Sequence, residues 1–402
     1  MRLTVERLSL RGEGVAGDVT VPLALPGEEV EGEVVAGRMA APRIVTPVAA
    51  RVRPPCRHYK RCGGCALQHA GDEFVAGWKR QVVERALAGQ GLTAEVRLAH
   101  VSPPAARRRA VLAGRRLKKG VLVGFHARAS DTIVPIPDCR LLHPDLMACL
   151  PALEDITALS ATRKGTLALT VTRSGDGADV AVAGGRAGDG PLFARLADLA
   201  ARHDLARLAW DGEVVVERRA PEQRFGAARV VPPPGAFLQA TEDGEAALRA
   251  AVEAALGGAQ RIADLFAGLG TFSLPLARRA EVHAVEGDRA MLAALDRGWR
   301  QAEGLKRVTT ETRDLFRNPL MPDELARFDA AVIDPPRAGA QAQTRQIAAS
   351  GVTRLAAVSC NPVSFARDAR ALVDAGYRMG AVAVVDQFRW SAHVELATAF
   401  DK

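Results

Sequence analysis

Apolar and polar positions divide the 402-residue chain into three stretches of different rhythm. Residues 1 to about 50 carry short apolar runs, Leu8-Ser9-Leu10, Val19-Thr20-Val21 and Val30 to Val35. Between them stand the turns Arg11-Gly12-Glu13-Gly14 and Pro26-Gly27. Short strands punctuated in this way predict a small barrel. The run Val52-Arg53-Pro54-Pro55 reads as a linker, and residues 73–89 as an amphipathic helix ended by Gly89. From 96 to 235, strand-like runs at 165–172 and 213–217 mix with a helical stretch near 191–203, an α+β pattern. The period then changes. A helix over 241–256 precedes a strand at 261–266, a glycine loop, a helix through 279 and a strand at 281–286. A helix at 288–301, strands at 307–311 and 328–333, a helix at 341–350, a strand at 354–359, a helix at 363–375 and two last strands follow. Such alternation predicts a mostly parallel, doubly wound Rossmann-like sheet. The expected domains are therefore 1–50, 51–235 and 236–402.

Charge sharpens this division. The net charge is +8, yet residues 51–130 hold 17 Lys and Arg against 4 Asp and Glu. The segments on either side are slightly acidic. A basic excess confined to one segment points to a polyanionic partner. No apolar run approaches the ~20 residues of a membrane helix, and the start lacks the apolar core of a signal peptide. Six cysteines are too few for a secreted disulfide scaffold. The chain is expected to be cytoplasmic and monomeric. Aromatic residues make up only 4%, which argues against a long base-stacking platform.

The candidate chemistry lies at predicted strand ends. Asp264-Leu265-Phe266-Ala267-Gly268-Leu269-Gly270-Thr271-Phe272 places glycines after a strand, where the backbone can approach a ligand. A Gly-x-Gly pair by itself is also an ordinary βα turn. The third glycine of the dinucleotide fingerprint is absent, and no Gly-Lys-Ser/Thr follows. Glu286, in Val285-Glu286-Gly287-Asp288, stands where an acid accepts hydrogen bonds from ribose hydroxyls. A nucleoside without pyrophosphate fits this pattern, and S-adenosylmethionine is one whose sulfonium suits acidic strand ends. Asp314 and Asp334 occupy matching places, although Asp314 also reads as a helix cap. Cys360 ends a strand and precedes Asn361-Pro362, where a helix N-terminus is expected to lower a thiol pKa and make a nucleophile. Glu395 is a candidate base, and His393 reads as structural. Cys56-x5-Cys62-Gly63-Gly64-Cys65 with a distant Cys139 can close a four-thiol site around zinc or an iron–sulfur cluster. Arg57, Lys60 and Arg61, then Arg107–Arg109, then Arg115, Arg116, Lys118 and Lys119 are expected to form a phosphate-binding surface.

Five ordered stretches, DLFAGLGTFSLPLA, VEGD, DPPRAGA, SCNPVSFARDA and VDQFRWSAHVELA, resemble the catalytic domain of the RNA uracil-C5 methyltransferase family. Phe237-Leu238-Gln239 resembles that family's Phe-x-Gln segment. The resemblance implies that Cys360 is the nucleophile and Glu395 the base that removes the C5 proton. It also implies that Gln239, Phe266, Thr271, Glu286, Asp314 and Asp334 line the pocket for S-adenosyl-L-methionine and the target base. PPCRHYKRCGGCALQH and GFHARASDTIVPIPDCRLLHP resemble the family's 4Fe–4S segments, which makes Cys56, Cys62, Cys65 and Cys139 the implied cluster ligands. LSLRGEGVAGD and LPGEEVEGEV resemble a TRAM domain, an OB-like barrel. The implied substrate is RNA, with 23S rRNA favoured over the T-loop uridine of tRNA. A cytosine-C5 methyltransferase and a non-catalytic, metal-containing RNA-binding protein are the remaining readings.

Overall fold

The computed structural model describes residues 1–162 and 164–402. Six short strands lie before residue 50, in two three-stranded antiparallel sheets. One contains Arg2–Thr4, Glu29–Glu31 and Arg43–Thr46, and the other Arg7–Leu8, Gly14–Ala16 and Val19–Val21. They share a small core of Val5, Val21, Ala24, Val30 and Met39. The expected strand at Leu8-Ser9-Leu10 stops at Leu8. Ser9 Oγ accepts the N–H groups of Arg11 and Glu13, at 3.3 and 3.2 Å, and turns the chain there. Glu28, fully buried, accepts the Leu25 N–H and pairs with Arg51, which ties this unit to the linker.

The central sheet has seven strands, in spatial order Ile133–Pro135, Val121–His126, Arg109–Arg116, Leu167–Ser174, Gly177–Ala183, Arg207–Trp210 and Glu213–Glu217. All neighbours are antiparallel except Gly177–Ala183 and Arg207–Trp210. The amphipathic helix Gly190–Arg202 makes that one crossover, capped by Asp189, whose carboxylate accepts the Leu192 N–H at 2.7 Å.

The C-terminal sheet runs Val308–Thr312, Glu281–Glu286, Arg261–Leu265, Ala330–Ile333, Arg354–Ser359, Glu395–Asp401, Val382–Asp386 and Val96–Val101. Only Glu395–Asp401 runs against its long neighbours, with the short strand Arg378–Met379 also pairing to it. The strand order reverses beside Arg261–Leu265, which makes the carboxyl edge there the ligand crevice. The doubly wound sheet is thus as expected. The helix foreseen through residue 279 is confined to Ser273–Leu276, because the chain must turn back to start Glu281–Glu286.

Two elements of the 51–235 segment are built onto this C-terminal sheet. Strand Val96–Val101 pairs in parallel with Val382–Asp386 and forms its edge. Helix Asp72–Ala88 buries Val75, Trp78, Val82, Val83 and Leu87 in the same core as Phe365, Ala369 and Leu372 of helix Pro362–Asp374. Both pairings join residues hundreds of positions apart, so local patterning did not reveal them.

Candidate functional site

Most chemical residues of the site sit at the edge where the parallel strands leave the sheet, and Gln239 stands just before helix Glu242–Leu256. After Arg261–Leu265 the chain turns at Phe266, a non-glycine residue at φ +64°, a strained conformation of the kind found at ligand sites. Gly270, at φ +86°, packs so closely that a Cβ there would meet Leu295 at 2.8 Å. Glu286 ends the next strand and closes the loop from below: Oε2 accepts the Gly268 N–H at 3.0 Å and Oε1 the Asp288 N–H at 2.9 Å. Asp314 follows the third strand, Asp334 the fourth and Cys360 the fifth. Glu395 reaches the same edge differently. Its strand is antiparallel, so it begins where the parallel strands end.

These side chains open on one cavity of about 730 Å³. Cys360, Glu395, Gln239, Phe266, Thr271, Glu286, Asp314 and Asp334 all line it. That volume suits a nucleoside-sized ligand with room for a base. Asp314 also plays its bland part, accepting the Phe316 N–H at 3.0 Å, while its side chain stays exposed at the rim. Sequence reasoning missed Phe237, Met291, Arg337 and Phe388 on the walls. His393, read as structural, is exposed on the same wall, its ring edge-on to Phe388 at 5.4 Å. Gln387 was missed too. It follows a strand directly, as Cys360 does, and that position was its signal.

The electrostatics are set by burial. Asp264, completely enclosed, is pushed up to about 6, and its Oδ1 has no partner while Ser273 donates to Oδ2 at 2.5 Å. Asp334 and Glu395 are both raised, first by burial and then by a neighbouring carboxylate. The Cys360 thiol is also raised, to about 11, by burial and by Glu395 and Asp334; Arg337 opposes this weakly. The expected lowering by the helix N-terminus is therefore overturned. The helix Pro362–Asp374 is present and Asn361 caps it, but burial of the sulfur, added to by Glu395 and Asp334, sets the direction. Asn361 and Ser364 also donate to the Arg337 carbonyl, at 2.8 and 3.1 Å, which locks the Cys360 loop to the Asp334 loop.

The cysteine loop lies apart from the cavity wall. Burial raises Cys62, Cys139 and Cys65, the last to about 12, and each would be repelled by the charges of the others. Backbone N–H groups of Gly64 and Leu141 already point at Cys62 Sγ and Cys139 Sγ, at 3.4 and 3.5 Å. The four sulfurs lie near enough for their charges to interact, and backbone donors meet two of them, but their arrangement does not by itself close a metal site. Among the described residues no group of three His, Cys, Asp or Glu is arranged to hold a metal ion. The loop is joined to the chain just before Glu395: the Ala66 and Leu67 N–H groups donate to the Trp390 carbonyl, at 2.7 and 2.9 Å.

The basic segment divides in two. Arg57, Lys60, Arg61, Arg116, Lys118 and Lys119 are exposed, as a phosphate-facing surface requires. Arg107–Arg109 are not. Arg108 is 4% exposed, pairs with buried Glu245 and donates to the Gln239 carbonyl at 3.0 Å. Arg109 donates to the carbonyls of Ala236 and Gly235, at 3.0 and 2.9 Å, and Arg107 to that of Arg109 at 3.0 Å. Arg108 and Arg109 fasten the central sheet to the segment carrying Gln239 and are not a phosphate surface, while half-buried Arg107 lies over the Phe388 ring at 5.8 Å.

Residues 199–402 match the tRNA (uracil-5-)-methyltransferase family. An RNA methyltransferase of Brucella suis is 45% identical over all of this chain and 98% of its own length. The 23S rRNA (uracil(1939)-C(5))-methyltransferase of Chromohalobacter salexigens is 38% identical, covering 98% of this chain and 87% of its own. Among solved structures, the Pyrococcus abyssi tRNA (uracil-54, C5)-methyltransferase in complex with S-adenosyl-L-homocysteine superposes with a TM-score of 0.79. It covers 100% of this chain and 99% of its own, at 22% identity, a likeness of fold.

Proposed function

Since the chain belongs to the tRNA (uracil-5-)-methyltransferase family, we propose that it transfers the methyl group of S-adenosylmethionine to C5 of a uridine in 23S rRNA through a covalent adduct on Cys360. The observation that carries this reading is the convergence of one thiol, Cys360, and one buried carboxylate, Glu395, on a single acid-lined cavity. Uracil C5 is a poor nucleophile. Addition of the Cys360 thiolate at C6 forms the S–C6 bond and moves the ring π electrons to C5 and O4. C5 then attacks the sulfonium methyl, and the S⁺–CH₃ electrons return to sulfur. Glu395 takes the C5 proton, the C5–C6 double bond re-forms and the thiolate leaves. The base must leave its stack to enter the cavity.

The acids have two tasks. Glu286, with one lone pair on each oxygen still free, would hold ribose hydroxyls, and Asp314 the adenine side. A sulfonium near Asp334 and Glu395 would offset their charge, and with it the part of the obstacle to ionising Cys360 that burial does not set. Gln239 Nε2 lies 3.5 Å from Asp334 Oδ2, so a donor stands beside an acceptor where the uracil edge would sit.

Large-subunit rRNA is favoured by the Chromohalobacter relative. The family description and the Pyrococcus likeness keep a tRNA uridine as the second reading. The site of action would be the cytoplasm, where such RNA is found. We assign Cys56, Cys62, Cys65 and Cys139 to a 4Fe–4S cluster, which when bound would cross-link the 56–65 loop to Cys139. Residues 1–50 would act as a TRAM-like RNA-binding barrel. The exposed basic residues would hold phosphates.

Mapping 5-methyluridine in ribosomal and transfer RNA, with and without the gene, tests the substrate. Loss of one 23S modification is expected; loss of a tRNA modification alone selects the second reading. Anaerobically purified protein should be brown and carry about four irons. Stoichiometric zinc without iron would overturn the cluster.

A further inference from the structure

We propose that Gln387 is a positioning residue that fixes which end of the Gln239 amide faces the target base, and thereby the preference for uracil over cytosine. This rests on the uridine reading above. A glutamine amide carries an acceptor and a donor that are interchangeable in shape, so only its partners fix its direction. Here the chain of partners starts at a group with no choice. The Ala240 N–H can only donate, and it meets Gln387 Oε1 at 2.8 Å. Gln387 Nε2 is then the donating end. Its two hydrogens are directed to Gln239 Oε1 at 2.6 Å and to Glu395 Oε2 at 3.2 Å. With its oxygen occupied, Gln239 turns its own NH₂ toward Asp334 and the cavity.

Reversal of Gln387 would set an oxygen against the Glu395 carboxylate and an NH₂ against the Ala240 N–H. All three side chains are buried, so each such mismatch carries its full desolvation penalty. The helix Glu242–Leu256 backs the arrangement closely. A Cβ on Gly244 would stand 2.5 Å from that of Gln387.

The cavity therefore offers an N–H donor next to a carboxylate acceptor. Uracil presents a carbonyl oxygen next to the N3–H donor, the complement of that pair. Cytosine presents an amino donor next to a ring-nitrogen acceptor, the reverse. A freely turning Gln239 would offer its oxygen as readily as its NH₂, and so weaken the match to uracil and ease the mismatch with the cytosine amino group. A Gln239 held by Gln387 favours uracil.

The test uses the RNA fragment containing the mapped nucleotide, made with uridine or cytidine at that position. Binding to Cys360→Ser protein is measured with Gln387 intact and as Gln387→Met and Gln387→Leu. The intact protein should prefer uridine, and both variants should lose that preference by about 10–100-fold. S-adenosylhomocysteine affinity should stay within about twofold, which reports an intact fold, since Gln387 makes no contact with the glycine loop or Glu286 in this geometry. Gln239→Ala should lose the same preference, with no further loss on adding Gln387→Met. Unchanged uridine preference in either variant that still binds S-adenosylhomocysteine overturns the proposal. A protein that methylates no uridine in the mapping experiment overturns the function reading instead.

Discussion

Buried charge is treated in opposite ways on the two sides of the joint between the central sheet and the catalytic edge. On the N-terminal side each buried cation among the described residues has its counterpart built in. Arg108 meets Glu245, and Lys79, completely buried, meets Asp386 at 2.6 Å. At the cavity, Asp334 and Glu395 form no ion pair among the described residues, nor does Asp264 enclosed in the strand nearby, and burial raises all three pKa values. A buried charge whose partner is supplied by the fold is part of the framework. One left without a partner, at a strand end facing a cavity, marks where a ligand brings the missing charge. The basic triplet and the acid cluster are each conspicuous in sequence, and only partnership separates their meanings.

The sharpest test removes the chemistry and keeps the charges. Cys360→Ala should reduce methylation below detection with S-adenosylhomocysteine binding retained. Glu395→Gln should accumulate a covalent enzyme–RNA species visible on a denaturing gel, because the C5 proton has no acceptor. A fully active Cys360→Ala enzyme would sink the mechanism. Next in size is the framework pair. Arg108→Ala leaves buried Glu245 with only Arg249, at 3.9 Å, as a counterion and should destabilise the protein by about 3 kcal/mol in urea unfolding. Arg116→Ala, Lys118→Ala and Lys119→Ala together should leave stability nearly unchanged and flatten the salt dependence of RNA binding. Equal effects in both experiments would erase the distinction drawn here.

The smallest effect follows from the unpaired acids. Their folded pKa values lie above the unfolded ones, so their contribution to stability is present at low pH and is lost as pH rises toward about 8. A cationic donor favours the ionised forms. S-adenosylmethionine affinity should therefore rise between about pH 5 and about pH 8, with proton release measurable by calorimetry in buffers of different ionisation enthalpy. S-adenosylhomocysteine, with a neutral sulfur, should show a weaker slope.

What sequence reading could reach was set by distance along the chain. Strand ends carrying Glu286, Asp314, Asp334 and Cys360 are local patterns, and these gather on one cavity with Glu395 and with Gln239, Phe266 and Thr271, which the family resemblance implied. The direction of the Cys360 pKa was not local, because burial by the assembled fold sets it and Glu395 and Asp334 add to it from other strands. Nor was the role of Arg108, whose partner Glu245 is 137 positions away. Strand Val96–Val101 is a similar case: its alternation is visible, but its neighbour Val382–Asp386 is not.

The Lys79–Asp386 pair spans 307 positions, and helix Asp72–Ala88 and strand Val96–Val101 find their partners in the same late stretch. During synthesis these elements leave the ribosome long before anything exists for them to pack against. Trp78, Val82 and Val83 must wait in water, and Lys79 without its counterion, until the last strands are made. Assembly of the protein is consequently timed by its C-terminus. A nascent chain arrested before residue 386 would expose an adhesive helix rather than a finished N-terminal half, and would be a natural client for chaperones and proteases.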